Sequence, residues 1–283
     1  MKSETKSPRL FKLLRKDVRR MLKPNILPLK SVRNPRDLGG YRGLDNRKIK
    51  SHRLLRTGNI SQITEKDEEF LKDYGLVKII DLRSKLECKK HPDKEIDGVK
   101  HYNLALSESD NTAGGKKNLE EIFEKYRVDE YAGFRMMCER YHNHITKKHA
   151  QITLHKILEV LANTEEGAVL YHCSEGKDRT GLVTVVLLYI LGVDMETIRQ
   201  DYLYSNYMLN DYRAKRDRIM KENGENLYFR ANMRILGSVS DAFLDTSLIT
   251  IEKEFGGFDN YLKNELGVTP DLQEALRELY LEK

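Results

Sequence analysis

Cysteine is scarce in this sequence of 283 residues: Cys88, Cys138 and Cys173 are the full set. Three thiols cannot build a disulfide framework, so a reducing compartment is expected. Long apolar runs are missing as well. No stretch approaches the roughly 20 residues that cross a bilayer, and the basic N-terminus has no apolar h-region of the secretory kind. A cytoplasmic location is the resulting expectation. Internal repeats and low-complexity segments are absent too. Finally, the body of the chain lacks the basic excess that the net charge of +6 suggests. Ten Lys and Arg against two acids fall within residues 1–30, which sum to +8 and leave −2 for the remainder. A nucleic-acid reader carries its basic face on the folded domain, so nucleic acid is not an expected partner.

What is present describes a globular protein, with 39% hydrophobic and 33% charged residues and enough chain for a sizeable core. Residues 1–30 read as a basic N-terminal extension. Within it Leu10, Leu13, Leu14, Val18, Met21 and Leu22 recur at helical spacing among basic residues, and Pro24 and Pro28 end the pattern. Such a helix either docks on the domain with its basic face in solvent, or rests on an anionic membrane through residues 1–24. From residue 31 onward strands and helices alternate. Segments 52–58, 76–84, 99–104 and 167–172 read as short strands. Residues 61–74 read as a helix with a cap signal at Thr64, and 118–162 as more than one helix. An apolar helix is expected over 180–191. Residues 194–283 look helical, with breaks near Asn223-Gly224, Gly256-Gly257 and Gly267. The expected fold is α/β: a single layered domain over 31–283, with a central, mainly parallel sheet flanked by helices and a helix-rich C-terminal half.

The stretch "GAVLYHCSEGKDRTG", residues 167–181, joins the last strand to the apolar helix. A short turn there makes the backbone N–H groups of Ser174 to Arg179 converge on one point, as at any helix N-terminus that receives an anion. Gly176 lets the backbone bend closely. A thiol at Cys173 facing those donors, a guanidinium and a helix dipole loses its proton readily. Comparable settings bring cysteine from about 8.5 to roughly 3.5–7.5. The same donors suit a phosphate, two of whose oxygens Arg179 can hold bidentately. The outcome is a thiolate aimed at phosphorus, ready for displacement through a phospho-cysteine.

His172-Cys173-x5-Arg179-Thr180 matches the signature of cysteine-dependent phosphatases. With "NPRDLGG" (34–40) and "IIDLRS" (79–84) upstream, "HCSEGKDRTG" resembles the bacterial tyrosine-phosphatase family, which also includes phosphoinositide-hydrolysing members. The resemblance spans about residues 31–283, including "FGGFDNYLKNELGV" near the C-terminus, and makes this span a cysteine-dependent phosphatase domain. It implies Cys173 as nucleophile and Arg179 as phosphate clamp, with His172 and Thr180 tuning the thiolate. Ser174, Glu175, Gly176, Lys177, Asp178 and Arg179 are then the phosphate-binding loop. A phosphotyrosine protein or a phosphoinositide would be the substrate, with no cofactor and no metal. A nucleotide-binding P-loop does not fit, because Asp178 stands after Gly176-Lys177 and Tyr171 replaces its first glycine. A non-catalytic phosphate-binding module and a sulfurtransferase or redox enzyme are the competing readings; nucleophile, clamp and acid together disfavour both.

Ester cleavage needs a proton for the leaving oxygen, and one carboxyl group can supply it and later act as base. Asp178, inside the loop as in the resembled family and the myotubularins, is the expected acid. Asp81, at the end of a predicted parallel strand, is the alternative; it could instead orient Arg179 or the Arg36-Asp37 pair. Lys177 adds positive charge that a second substrate phosphate could use, although Glu175 opposes it. Cys138, His142, His144 and His149 lack paired metal-ligand spacing. Cys88 is either a surface thiol or a redox partner of Cys173. Residues 198–245, with Tyr202, Tyr204, Tyr207, Met208, Tyr212, Tyr228 and Phe229, form either core or a helical cover over the site.

Overall fold

The computed structural model describes residues 24–107 and 116–283. The expected amphipathic helix falls on residues that, apart from Pro24, lie outside the described ones. Six strands form one sheet: β1 (Asn25–Ile26), β2 (Arg36–Asp37), β3 (Leu54–Thr57), β4 (Leu76–Asp81), β5 (Lys100–Asn103) and β6 (Ala168–His172), in the order β1-β2-β3-β6-β4-β5. β3, β6, β4 and β5 run parallel, and β1 and β2 extend one edge antiparallel. The sheet is therefore mainly parallel, as expected. Packed structure starts ahead of residue 31, since Leu27 and Leu29 are buried against Leu55, Ile60 and Ile63.

Strand β6 sits in the middle, and all five of its residues are buried. Val169 and Tyr171 face one core, which also holds Ile80, Leu154, Leu158 and Val186. Ala168 and Leu170 face the other, with Leu55, Leu71 and Ile79. Burial on both faces is why this strand reads as one apolar run rather than an alternation. Each large aliphatic side chain removed from water there contributes about 1.5–3 kcal/mol.

Eleven α-helices of six residues or more are described. They are α1 (Glu65–Asp73), α2 (Lys85–Lys90), α3 (Lys116–Val128), α4 (Ala132–Thr146), α5 (Lys148–Ala162), α6 (Asp178–Ile190), α7 (Met195–Met208), α8 (Asn210–Glu222), α9 (Leu227–Leu236), α10 (Asp241–Phe255) and α11 (Pro270–Tyr280). Thr64 caps α1 by accepting the Asp67 N–H. The expected helical region 118–162 is three helices. The glycine breaks appear where expected: Gly256 ends α10 in a left-handed conformation (φ 72°), which suits a residue without Cβ. Helix α6 buries ten of its 13 residues, so it is enclosed on all sides between the sheet and the C-terminal helices. No helix among the described residues is long and apolar enough to cross a membrane.

The parallel register brings strand ends together. Thr57 and Asp81 both pair with His172, on either side of it. The chain segments leaving β3, β4 and β6 therefore emerge at one edge, where ligands of open α/β sheets collect.

Candidate active site

Cys173 is the first residue beyond β6 and is 3% exposed. Burial alone would push its thiol up, but the Arg179 charge, the Thr180 hydroxyl and the Thr180 N–H outweigh burial and bring it below its ordinary value; the Asp178 charge opposes them. Thr180 Oγ1 is buried and makes no other hydrogen bond. Gly176 has φ +67°, and a Cβ there would lie 2.4 Å from the Thr57 carbonyl. Only glycine lets the loop pass this close to the end of β3.

Arg179 at the start of α6 is already engaged. Its Nη1 donates to Glu87 Oε2 (2.6 Å) and its Nη2 to Glu87 Oε1 (2.8 Å). Glu87 also accepts from Ser174 Oγ (2.5 Å) and from the backbone N–H of Ser84 (3.0 Å). Burial raises the Glu87 carboxyl, yet the guanidinium and Ser174 bring it well below the carboxylate range. The same partner holds Arg179 far above any accessible pH. This bidentate pair aims the guanidinium before any substrate arrives. Sequence reasoning missed Glu87. The one signal for it was the Ser84-x-x-Glu87 capping box at α2.

Asp178 and Lys177 form a pair rather than two independent groups. Lys177 Nζ donates to Asp178 Oδ2 (2.5 Å) and to the Leu236 carbonyl (2.7 Å), and lies 3.7 Å from Glu175 Oε2. Lys177 is thus buried, and its charge is engaged by two carboxylates. The sequence expectation of a charge offered to a second phosphate differs for that reason. Asp178 Oδ1 accepts from Tyr141 Oη (2.8 Å), itself 2.8 Å from Tyr202 Oη. Burial raises the Asp178 carboxyl, while Lys177 and Tyr141 together draw it below the usual value. Glu175 is neutralised from outside the loop by Arg216 Nη1 of α8 (3.2 Å).

A second network lies beneath the loop. Asp81 accepts from Arg83 Nε (2.9 Å) and Nη2 (2.8 Å), and from Cys88 Sγ (3.0 Å). Arg83 Nη2 also donates to Asp93 Oδ1 (2.8 Å), and His172 Nε2 meets Asp93 Oδ2 at 2.8 Å. Asp81 therefore orients Arg83 rather than Arg179 or the Arg36-Asp37 pair, with His172 Nδ1 3.9 Å away. Burial raises Asp81, but Arg83 and His172 hold it below the ordinary value. Burial lowers the His172 imidazole, yet its hydrogen bond to Asp93 and the two carboxylate charges raise it overall. Asp81, Asp93 and His172 stand close enough to suggest a cation site, but the Arg83 guanidinium bridges the two carboxylates and fills that role. Cys88 is accordingly bound to this network, with its thiol pushed up to about 12 by burial and by Asp81.

Outside the loop, Asn34 Nδ2 (2.7 Å) and Arg56 Nη2 (2.9 Å) both donate to the Gly176 carbonyl. Asn59 donates to the Ser174 carbonyl from its side chain (3.2 Å) and its backbone N–H (3.3 Å). Asn34 belongs to the "NPRDLGG" motif; Arg56 and Asn59 carried no signal. The histidines expected not to bind metal have separate partners: His142 meets Glu254, His144 meets Ser107 and His149 meets the Ala105 carbonyl. Residues 198–245 divide between the two readings. Tyr202 and Phe229 are buried, Tyr207 and Tyr228 are exposed, and α8 and α9 reach the loop through Arg216 and Leu236.

Comparison with known proteins agrees with this geometry. A model of the tyrosine phosphatase family matches residues 27–282. A Cupriavidus necator protein whose name assigns it only provisionally to the tyrosine-protein phosphatases is 29% identical over 245 residues, covering 86% of this chain and 84% of that protein. The triple specificity protein phosphatase PtpB of Mycobacterium tuberculosis is 26% identical over 258 residues, covering 82% of this chain and 92% of its own. A tyrosine-protein phosphatase of Nostoc commune is 25% identical over 237 residues, 81% of this chain and 74% of that one. With nearly the whole described chain inside the match, the protein belongs to the tyrosine phosphatase family.

Proposed function

We propose that this phosphatase works by two displacements at phosphorus, with Cys173 as nucleophile. The Cys173 thiolate attacks the phosphoryl group while the bond to the ester oxygen breaks, and Asp178 gives that oxygen its proton. Water then attacks the phospho-cysteine, Asp178 takes up the water proton, and the S–P bond breaks to release inorganic phosphate and the thiolate. Arg179 holds two of the phosphoryl oxygens throughout. The observation that carries this reading is geometric: Cys173 is buried at the end of β6, and Glu87 joins the next residue, Ser174, to the Arg179 guanidinium across the same turn. Arg179 and Thr180 accordingly draw the thiol below its ordinary value. Asp178, held ionised by Lys177 and Tyr141, is ready for the second step. For the first step it needs a proton, and a phosphate dianion arriving beside it favours the protonated form. Asp178 is preferred to Asp81 because it sits within the loop, where its charge acts on the Cys173 thiol, whereas Asp81 holds Arg83 and Cys88 in the separate network.

Cys173→Ser is expected to abolish turnover of p-nitrophenyl phosphate while retaining binding of inorganic phosphate. Wild-type turnover in that variant would sink the mechanism.

The substrate class follows from the family: phosphotyrosine in proteins is the leading substrate. Phosphoinositide activity is the second reading, favoured by the triple specificity named for the mycobacterial relative and by the ten basic residues in positions 1–30. Phosphate release from a phosphotyrosine peptide, a phosphoserine peptide and phosphoinositide vesicles, measured side by side, decides between them. Release from vesicles that falls when residues 1–24 are deleted supports the lipid reading and the membrane contact together. No release from any vesicle removes both.

A further inference from the structure

Beneath the phosphate loop lies a charged cluster that the proposed mechanism does not use. Arg36, Arg56 and Asp201 are each fully buried. Arg56 Nη1 donates to Asp201 Oδ2 (2.6 Å), Tyr41 Oη donates to Asp201 Oδ1 (2.9 Å), and Arg36 Nε stands 3.7 Å from the same carboxylate. Two guanidinium groups thus share one carboxylate. Arg36 Nη2 finds Ser205 Oγ at 3.2 Å, whereas its Nε and Nη1 have no hydrogen-bond partner. Burial and the neighbouring Arg56 draw the Arg36 guanidinium down to about 10. Buried charge that is only half compensated is costly. A chain that keeps such a cluster obtains something other than stability from it.

We propose that Arg56 and Asn34 are positioning residues that set the phosphate loop by fastening the Gly176 carbonyl, and that Asp201 on α7 holds Arg56 in place to do so. This rests on the reading of residues 173–179 as a phosphate-binding loop. The argument is geometric. A trans peptide is planar, and its C=O and N–H point in opposite directions. With the Gly176 carbonyl tied to Asn34 and Arg56, the N–H of Lys177 must point the other way. The Ser174 carbonyl, tied to Asn59, turns the Glu175 N–H similarly. Alternate peptides of the loop are thus fixed with their donors away from the buttress, as an anion cradle requires. Gly176 cannot relax this arrangement, since it packs directly against Thr57 and Gly58. The surplus positive charge of Arg36 and Arg56 adds to the attraction for an anion above.

The test uses the full chain carrying Arg56→Lys or Asn34→Ala, with inorganic phosphate as the probe. Arg56→Lys keeps the charge and loses the fork that reaches Asp201 and Gly176 at once. Asn34→Ala removes one donor from a buried carbonyl. Phosphate affinity measured by calorimetry is expected to fall about tenfold in each, with melting still cooperative. The pH midpoint of Cys173 alkylation by iodoacetate should move upward, since donors no longer converge on the sulfur. Arg179, Asp178 and Thr180, the groups facing that sulfur, are unchanged in both variants. A folded variant with wild-type phosphate affinity and an unmoved alkylation profile overturns the proposal. So does a failure of both variants to fold, because a structural role alone accounts for that. Both readouts are independent of turnover, so an active Cys173→Ser enzyme would defeat the mechanism without touching this result.

Discussion

In the mechanism proposed above, Asp178 answers to two opposite requirements, and its neighbours bear on both. Lys177 at 2.5 Å and Tyr141 at 2.8 Å favour the carboxylate, which suits a base acting on water. Protonation for the first step must come with the substrate. Asp178→Asn should therefore slow hydrolysis of an alkyl phosphate, a poor leaving group, by about 10²- to 10⁴-fold, and p-nitrophenyl phosphate far less. Steady-state kinetics on the two substrates checks this, and equal losses would mark Asp178 as structural. The His172–Asp93 pair predicts a pH effect on stability. His172 is raised in the folded state, so its contribution is full below about 6.5, the unfolded value, and is lost as pH rises through the higher folded value. Asp93→Asn should lower the melting temperature more at pH 6 than at pH 9. A difference that grows toward pH 9 would refute the assignment. The remainder at pH 9 comes from the lost contact with Arg83. That Cys173, Asp178 and Arg179 face one another was legible because they are contiguous along the chain. Glu87, Asp93, Tyr141 and Arg56 were not, because what they do depends on contacts across 37 to 145 positions: Tyr141 with Asp178 (37), Asp93 with His172 (79), Glu87 with Arg179 (92) and Arg56 with Asp201 (145).

At the scale of elements, legibility followed length and burial. β4 and β6 read clearly from their apolar runs, and α6 from its enclosure. β1 and β2 have two residues each, too few for any periodicity, and exist through pairing: β1 with β2, and β2 with β3. The break between α7 and α8 falls at Leu209, which has neither glycine nor proline to announce it. Helix α2 is short but carries Glu87, the partner of Arg179, and its capping box is what makes six residues a helix. Ser84 Oγ accepts the Glu87 N–H (3.2 Å), and Glu87 Oε2 accepts the Ser84 N–H (3.0 Å). Ser84→Ala should cost about 1 kcal/mol of stability, read from the midpoint of urea unfolding. The same variant should weaken phosphate binding, because Glu87 then aims Arg179 less firmly. A stability loss with unchanged phosphate affinity would separate the cap from the clamp.

For the molecule as a whole, the sheet divides one core from another, and β6 serves both. Leu170→Ala, emptying a fully buried site against Leu55, Leu71 and Ile79, should cost about 2–5 kcal/mol, measured by urea unfolding. A loss below 1 kcal/mol would mean that this smaller core collapses into the space. The carbonyl ties of the loop also have a consequence in time. During synthesis Cys173 is made after Asn34, Arg56 and Glu87 but before Asp201, Arg216 and Leu236, whose carbonyl lies 59 positions beyond its partner Lys177. Contacts so distant form late. The groups that lower the Cys173 thiol, Arg179 and Thr180, follow it within seven residues. The turn that carries them is fastened through Arg216 and Leu236 only when the C-terminal helices close against it, so the finished loop and the finished fold arrive together.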